Sequence, residues 1–213
     1  MTPEDSGVIG IDEAGKGDYF GPLVIAAVHV DSRSAEVIAK AGVRDSKALS
    51  DRRVLALGPV IAGACPTSVV AIGPERYNAL YAKIGNLNRL LAWGHARVLE
   101  NLLEQVTCSR AISDQFGDAR LLERALLERG RTISLVQQPR AEEHPAVAAA
   151  SVVARAEFLR RLAALGTRFG LALPKGAGPP VLTAGRAFIR DHGRELLAQV
   201  AKLHFRTTTQ IAD

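Results

Sequence analysis

Four acidic residues stand where a chain would place groups that act together. Asp12 and Glu13 end the apolar run that begins GVIGID at residue 7, and Asp114 ends RAISD (110–114). Glu142 lies in QPRAEEHP, just after a third apolar run. Carboxylates at strand ends, gathered from distant parts of a chain, are either a metal site or the ordinary polarity of loops. Oxygen-only ligands suit a hard cation such as Mg2+ or Mn2+. Four carboxylates held close would repel one another, and two divalent ions would balance their charge. Metals about 3.5–4 Å apart would clamp both the attacking water and the leaving oxygen of a phosphodiester.

The turn after Glu13 adds to this. Gly15-Lys16-Gly17 can bring backbone N–H groups close to a phosphate or sugar, because glycine has no Cβ to obstruct approach, and Lys16 adds a cation beside the acid pair. A dinucleotide fingerprint does not fit. The glycines at 15, 17 and 21 are spaced one residue too far, and Pro22 and a strand-like run follow where a helix is required. No G-x-x-x-x-G-K-[ST] loop occurs in the chain.

Such groups need elements to position them. Residues 7–12 and PLVIAAVHV (22–30) read as adjacent strands joined by the glycine-rich turn. The pattern predicts a helix over 51–62 with Ser50 as N-cap, and a second over 86–105, where Leu87, Leu90, Leu91, Val98 and Leu102 recur at helical spacing. A strand over 110–114, a helix over 118–129 stopped by Gly130 and a strand over 132–137 follow. A long alanine-rich helix is expected over 144–165, then a Pro/Gly loop (173–180) and a last helix from about 183 to 202. This order indicates one mixed-sheet α/β domain spanning 1–213.

Composition bounds the rest. The 213 residues are 47% hydrophobic and 23% charged, with no run approaching the roughly 20 apolar residues of a membrane span. The start, MTPEDSGVIGID, resembles neither a signal nor a transit peptide, and Cys65 and Cys108 make no disulfide framework, so a reduced, cytoplasmic protein is expected. Residues 1–149 carry 17 Lys and Arg against 18 Asp and Glu, whereas residues 150–213 carry 10 against 4. The basic, helical last third suggests a polyanionic partner.

Four longer stretches carry a resemblance. GIDEAGKGDYFGPLVIAAV (10–28), DSKALSD (45–51), SDQF (113–116) and VAAASVVARAEF (147–158) resemble, in order, the motifs of the type 2 ribonuclease H family. Within it GKGDYFGP, YNALYAKIGNLNRLLAWGHA (77–96) and AKLHFRTT (201–208) look like ribonuclease HIII more than ribonuclease HII. The resemblance implies a ribonuclease H-like fold and a monomeric endoribonuclease, cutting the RNA strand of RNA–DNA hybrids to give 5′-phosphate and 3′-hydroxyl ends. The alternatives are ribonuclease HII-like incision at single ribonucleotides in duplex DNA, or a non-catalytic hybrid-binding module. It implies that Asp12, Glu13, Asp114 and Glu142 hold two Mg2+ or Mn2+ ions, with Glu143 adjacent to the fourth position. It places Gly15, Lys16 and Gly17 at the ribose 2′-hydroxyls, and Lys47 and Ser151 against the nucleic acid. Ribonuclease HIII usually carries an N-terminal domain resembling the TATA-binding protein, which this sequence is expected to lack.

Other conspicuous residues have plainer readings. His29 and His95 are expected to be packed or surface residues, His144 a helix-start residue in preference to a proton shuttle, and Trp93 and Phe205 core. The two cysteines are expected to be buried and inert.

Overall fold

The computed structural model describes residues 6–43 and 48–211. Five strands form one mixed sheet: β1 (Val8–Ala14), β2 (Leu23–Val30), β3 (Thr67–Ile72), β4 (Arg110–Asp114) and β5 (Ser134–Gln138). Their order is β3-β2-β1-β4-β5. β1 runs antiparallel to β2 and β2 to β3, while β1 and β4, and β4 and β5, are parallel. Around the sheet lie α1 (Ser32–Lys40), α2 (Asp51–Ala64), α3 (Pro74–Ile84), α4 (Leu87–Leu103), α5 (Ala119–Ala125), α6 (Pro145–Phe169), α7 (Pro179–His192) and the single turn α8 (Thr207–Gln210).

Every residue of β2 is buried, because both faces of the sheet are covered. Val24, Ala26 and Val28 join a core with α2, α6 and α7, while Leu23, Ile25 and Ala27 join a second core with α3 and α4. β1 divides in the same way: Ile9 and Ile11 face α4. On its other face Gly10 lies so close to α6 that a Cβ there would meet the Ala146 backbone at 2.1 Å. That close approach brings the first turns of α6 against the end of β1.

The expected boundaries hold for the β1–β2 pair, α2, α4, β4 and α6 to within a few residues. Two helices are shorter than expected. α5 ends at Ala125, and the Glu100 carboxylate, buried under it, accepts the Arg129 and Gly130 N–H groups, each at 3.0 Å, in a separate turn. The final helix stops at His192, where Gly193 turns to φ +88°; a short 3-10 turn follows, and residues 200–202 run alongside residues 19–21. α1, β3 and α3 carry no expectation from the sequence. Trp93 is 41% exposed, a correction to its expected place in the core, since it falls with Arg97 on the solvent stripe of α4. Among the described residues no helix is long and apolar enough to cross a membrane.

Candidate active site

Strand alternation decides where each acid points. Ile11 pairs with Ser113 across the parallel β1–β4 ladder, so the next residues, Asp12 and Asp114, leave the two strands side by side on the face that α6 covers. Glu13 emerges on the opposite face, towards α4. The Ser151 hydroxyl of α6 hydrogen-bonds the Asp12 carboxylate, and the Glu13 N–H donates to Asp12 Oδ1 at 2.8 Å. Burial, followed by the charge of Glu13, pushes the Asp12 carboxyl above its usual range, with Asp114 adding to the effect.

Glu13 is held differently. Lys16 Nζ donates to its Oε1 at 3.0 Å, and His95 Nε2 to its Oε2 at 3.1 Å. Burial alone would raise this carboxyl, but the His95 ring and the Lys16 ammonium outweigh it and hold Glu13 below the usual carboxylate range. His95 is fully buried, and its Nδ1 lies 3.0 Å from Ser113 Oγ, which in turn donates to the Asp114 carbonyl at 3.0 Å. One imidazole thus ties the acid of β1 to the end of β4. Of the packed and surface readings that the sequence leaves open for His95, the packed one holds, but its contact with Glu13 is not foreseen; its position one helical turn from Leu91 on a buried face is the available signal.

Asp12, Glu13 and Asp114 line one cleft of about 360 Å³, together with Gly15, Lys16, Gly17 and Ser151. Phe158 lines it as well. Gly15 sits at φ +85°, where a Cβ would meet the Pro22 carbonyl at 2.2 Å, so the turn itself requires glycine there. Gly17 is different: a Cβ would meet nothing within 4 Å, and its φ is not in the left-handed region. The fold leaves that position open for a group approaching from outside.

Two further cations line the cleft, Arg155 and Lys175. Asp51 at the start of α2 holds both: its Oδ1 accepts from Arg155 Nη2 at 2.7 Å and its Oδ2 from Lys175 Nζ at 2.5 Å. Neither was singled out from sequence as a site residue. Arg155 stands one helical turn after Ser151, a spacing that could have found it; nothing local marks Lys175.

Glu142 does not line this cleft. It sits in a 3-10 turn, Ala141–Glu143, after Arg140 in a left-handed conformation, and borders a neighbouring cavity with Arg140, Glu143 and α1. The turn is nonetheless tied to the site, because the Ala141 N–H donates to Asp114 Oδ1 at 3.3 Å. Lys47 falls outside the described residues. His144 caps α6 by accepting the Ala146 N–H at Nδ1, as a helix-start residue would. Among the described residues no three acidic, histidine or cysteine side chains converge closely enough to hold an ion alone. A hard cation such as Mg2+ needs only one or two carboxylates, its remaining positions going to water and substrate phosphate oxygens. The donor set is all oxygen, and the charge of Glu13 and Asp114, which adds to burial in raising Asp12, is what a cation would relieve.

A mixed sheet carrying acids at the ends of its two central parallel strands, beside a glycine turn, defines a ribonuclease H-like hydrolase. A family model described as Ribonuclease HII matches residues 9–208. Ribonuclease HIII of Chlamydia pneumoniae is 44% identical over 95% of this chain and 69% of its own length, and that of Protochlamydia amoebophila (strain UWE25) is 42% identical over 99% and 69%. The crystal structure of Bst-RNase HIII in complex with Mn2+ superposes with a TM-score of 0.90 at 36% identity, covering 99% of this chain and 70% of that one. The chain belongs to the ribonuclease HII family, with ribonucleases HIII among its relatives, and it is a ribonuclease H.

Proposed function

We propose that the protein is a metal-dependent endoribonuclease that hydrolyses the RNA strand of RNA–DNA hybrids, with Asp12, Glu13, Asp114 and Glu142 as the acids that hold two Mg2+ or Mn2+ ions. The observation that carries this reading is the single cleft in which three of those acids meet the Gly15-Lys16-Gly17 turn and Ser151. The Mn2+ complex of Bst-RNase HIII supports the metal. When bound, the ions would activate the attacking water and stabilise charge on the 3′-oxygen as it leaves the phosphorus.

The chain's own residues do the rest. Asp12 and Asp114, side by side at the strand ends, present oxygen ligands from rigid elements. Glu142 borders the neighbouring cavity, and would join these acids from the turn that is pinned to Asp114. Gly17 leaves room for a ribose to approach the backbone, where a 2′-hydroxyl distinguishes RNA from DNA. Lys16, Arg155 and Lys175 offer charge to the phosphates on either side, with Ser151 and Lys47 as further contacts. The reading takes the described residues as one domain, supported by the one continuous sheet, and includes a monomer in the cytoplasm.

Three labelled duplexes test it, each with Mg2+, Mn2+ or chelator: an all-RNA strand on DNA, a four-ribonucleotide tract and a single embedded ribonucleotide. Metal-dependent cutting of the first two, leaving 5′-phosphate and 3′-hydroxyl ends, is expected. Efficient incision at the single ribonucleotide alone would assign ribonuclease HII-like specificity instead. Hybrid binding with no product in either metal would leave a binding module.

A further inference from the structure

Lys202 is the one lysine in the described residues that is completely buried. A lysine ordinarily carries its charged end to water, because removing that end from water is costly unless it is fully partnered. Here the terminal nitrogen is partnered only by main chain from one short segment. It donates to the carbonyls of Asp18 at 2.7 Å and Gly21 at 2.7 Å, and lies 3.4 Å from that of Phe20. The Tyr77 ring covers it, with its centroid 5.8 Å away.

The segment so gripped is the return of the glycine turn, between Gly17 and the start of β2. It is irregular backbone, and its other holds come from the same distant parts of the chain. The Lys202 N–H donates to the Tyr19 carbonyl at 2.9 Å and the Gly21 N–H to the Val200 carbonyl at 2.8 Å. Asp18 Oδ1 accepts the Gly176 N–H at 2.6 Å. A lysine that served packing alone would gain nothing from this arrangement over a leucine or methionine of similar volume. Three carbonyls drawn onto one nitrogen fix the direction of successive peptide planes, and so the direction in which the turn faces the cleft.

We propose that Lys202 is a positioning residue for substrate recognition: through the carbonyls of Asp18, Phe20 and Gly21 it holds the Gly15-Lys16-Gly17 turn in the shape that accepts the ribose of the RNA strand. This rests on the reading of that turn as the ribose contact. Lys202 touches neither the reacting phosphate nor the metal-holding acids, so its effect falls on binding and discrimination.

Lys202→Met keeps the stem and removes the donors. Its KM for the all-RNA hybrid rises about tenfold, the loss of roughly one hydrogen bond's worth of positioning, while kcat per folded molecule stays within about threefold. Its preference for hybrid over DNA duplex, measured by equilibrium binding, narrows by a similar factor, and its affinity for Mn2+ alone, measured by calorimetry, is unchanged. Asp18→Ala, which releases the hold from Gly176, gives the same KM-weighted loss and serves where Lys202→Met does not fold. A lowered melting temperature with KM and duplex preference unchanged would show Lys202 to be only structural and overturn the proposal. A wild-type protein with no preference for hybrid over DNA would instead overturn the reading on which it rests.

Discussion

Neighbouring residues in the cleft have opposite electrostatic fates. Asp12 is buried beside two other acids and its carboxyl is pushed up, whereas Glu13, one residue on, is held down by Lys16 and His95. The strand pleat explains the divergence, since it sends the two side chains to opposite faces. His95→Phe fills the same space without a donor to Glu13. It is expected to lower metal affinity and activity about 10- to 100-fold, as loss of a group orienting a ligand does, with Mn2+ calorimetry as the measurement. The two glycines of the turn separate folding from function. Gly15→Ala would force its Cβ onto the Pro22 carbonyl and should lower the melting temperature, whereas Gly17→Ala should leave it unchanged and raise KM for the hybrid. Asp12, Glu13 and Asp114 were legible as site candidates because each ends an apolar run; the roles of His95 and Asp51 were not, because their partners lie 82 and 104 residues away.

At the scale of elements, the sequence told most where periodicity and caps agreed. Ser50 and Asn86 accept the N–H groups of Arg53 and Arg89 as N-caps of α2 and α4, close to where the pattern starts both helices. It failed where tertiary contacts overrode local preference. The 118–129 segment has helical character throughout, yet Glu100 captures its last N–H groups and ends α5 early. The run to residue 202 is broken because its end pairs with the Tyr19–Gly21 backbone. β3 was missed because a six-residue edge strand with a mixed burial pattern gives little alternation to read. α1 had a signal, the Asp31 side chain capping Ser34 N–H at 2.8 Å, but Ser34 is not the acidic partner usual in a capping box. The contact between β1 and α6 is tight enough to test: Gly10→Ala should cost about 1–3 kcal/mol in urea unfolding, because the Ala146 backbone cannot yield as a side chain would.

Across the whole molecule, residues far apart in sequence converge on one end of the sheet. The N-terminal turn is held by Lys202, the cleft cations by Asp51 and the turn bearing Glu142 by Asp114. Lys202 makes this convergence measurable through pH. Burial lowers its amine from the ordinary 10.5 to about 7, against the attraction of the Asp18 carboxylate. Between those values the unfolded chain binds more protons than the folded one, so the contribution of Lys202 to stability rises with pH through that window. Melting temperatures of wild type and Lys202→Met, compared from pH 6 to 10, should therefore diverge in favour of wild type as pH increases. A constant difference would mean that the residue does not titrate in the folded protein in this range.

The account stands or falls on the acids working as one metal-dependent centre, and Asp12→Asn addresses that directly. The substitution keeps size and hydrogen bonding to Ser151 while removing the charge. With saturating Mg2+ or Mn2+ and an all-RNA hybrid, kcat should fall on the order of 10³-fold or more, with hybrid binding and melting temperature close to wild type. Cleavage near the wild-type rate by that variant would contradict the assignment of the cleft as the catalytic site.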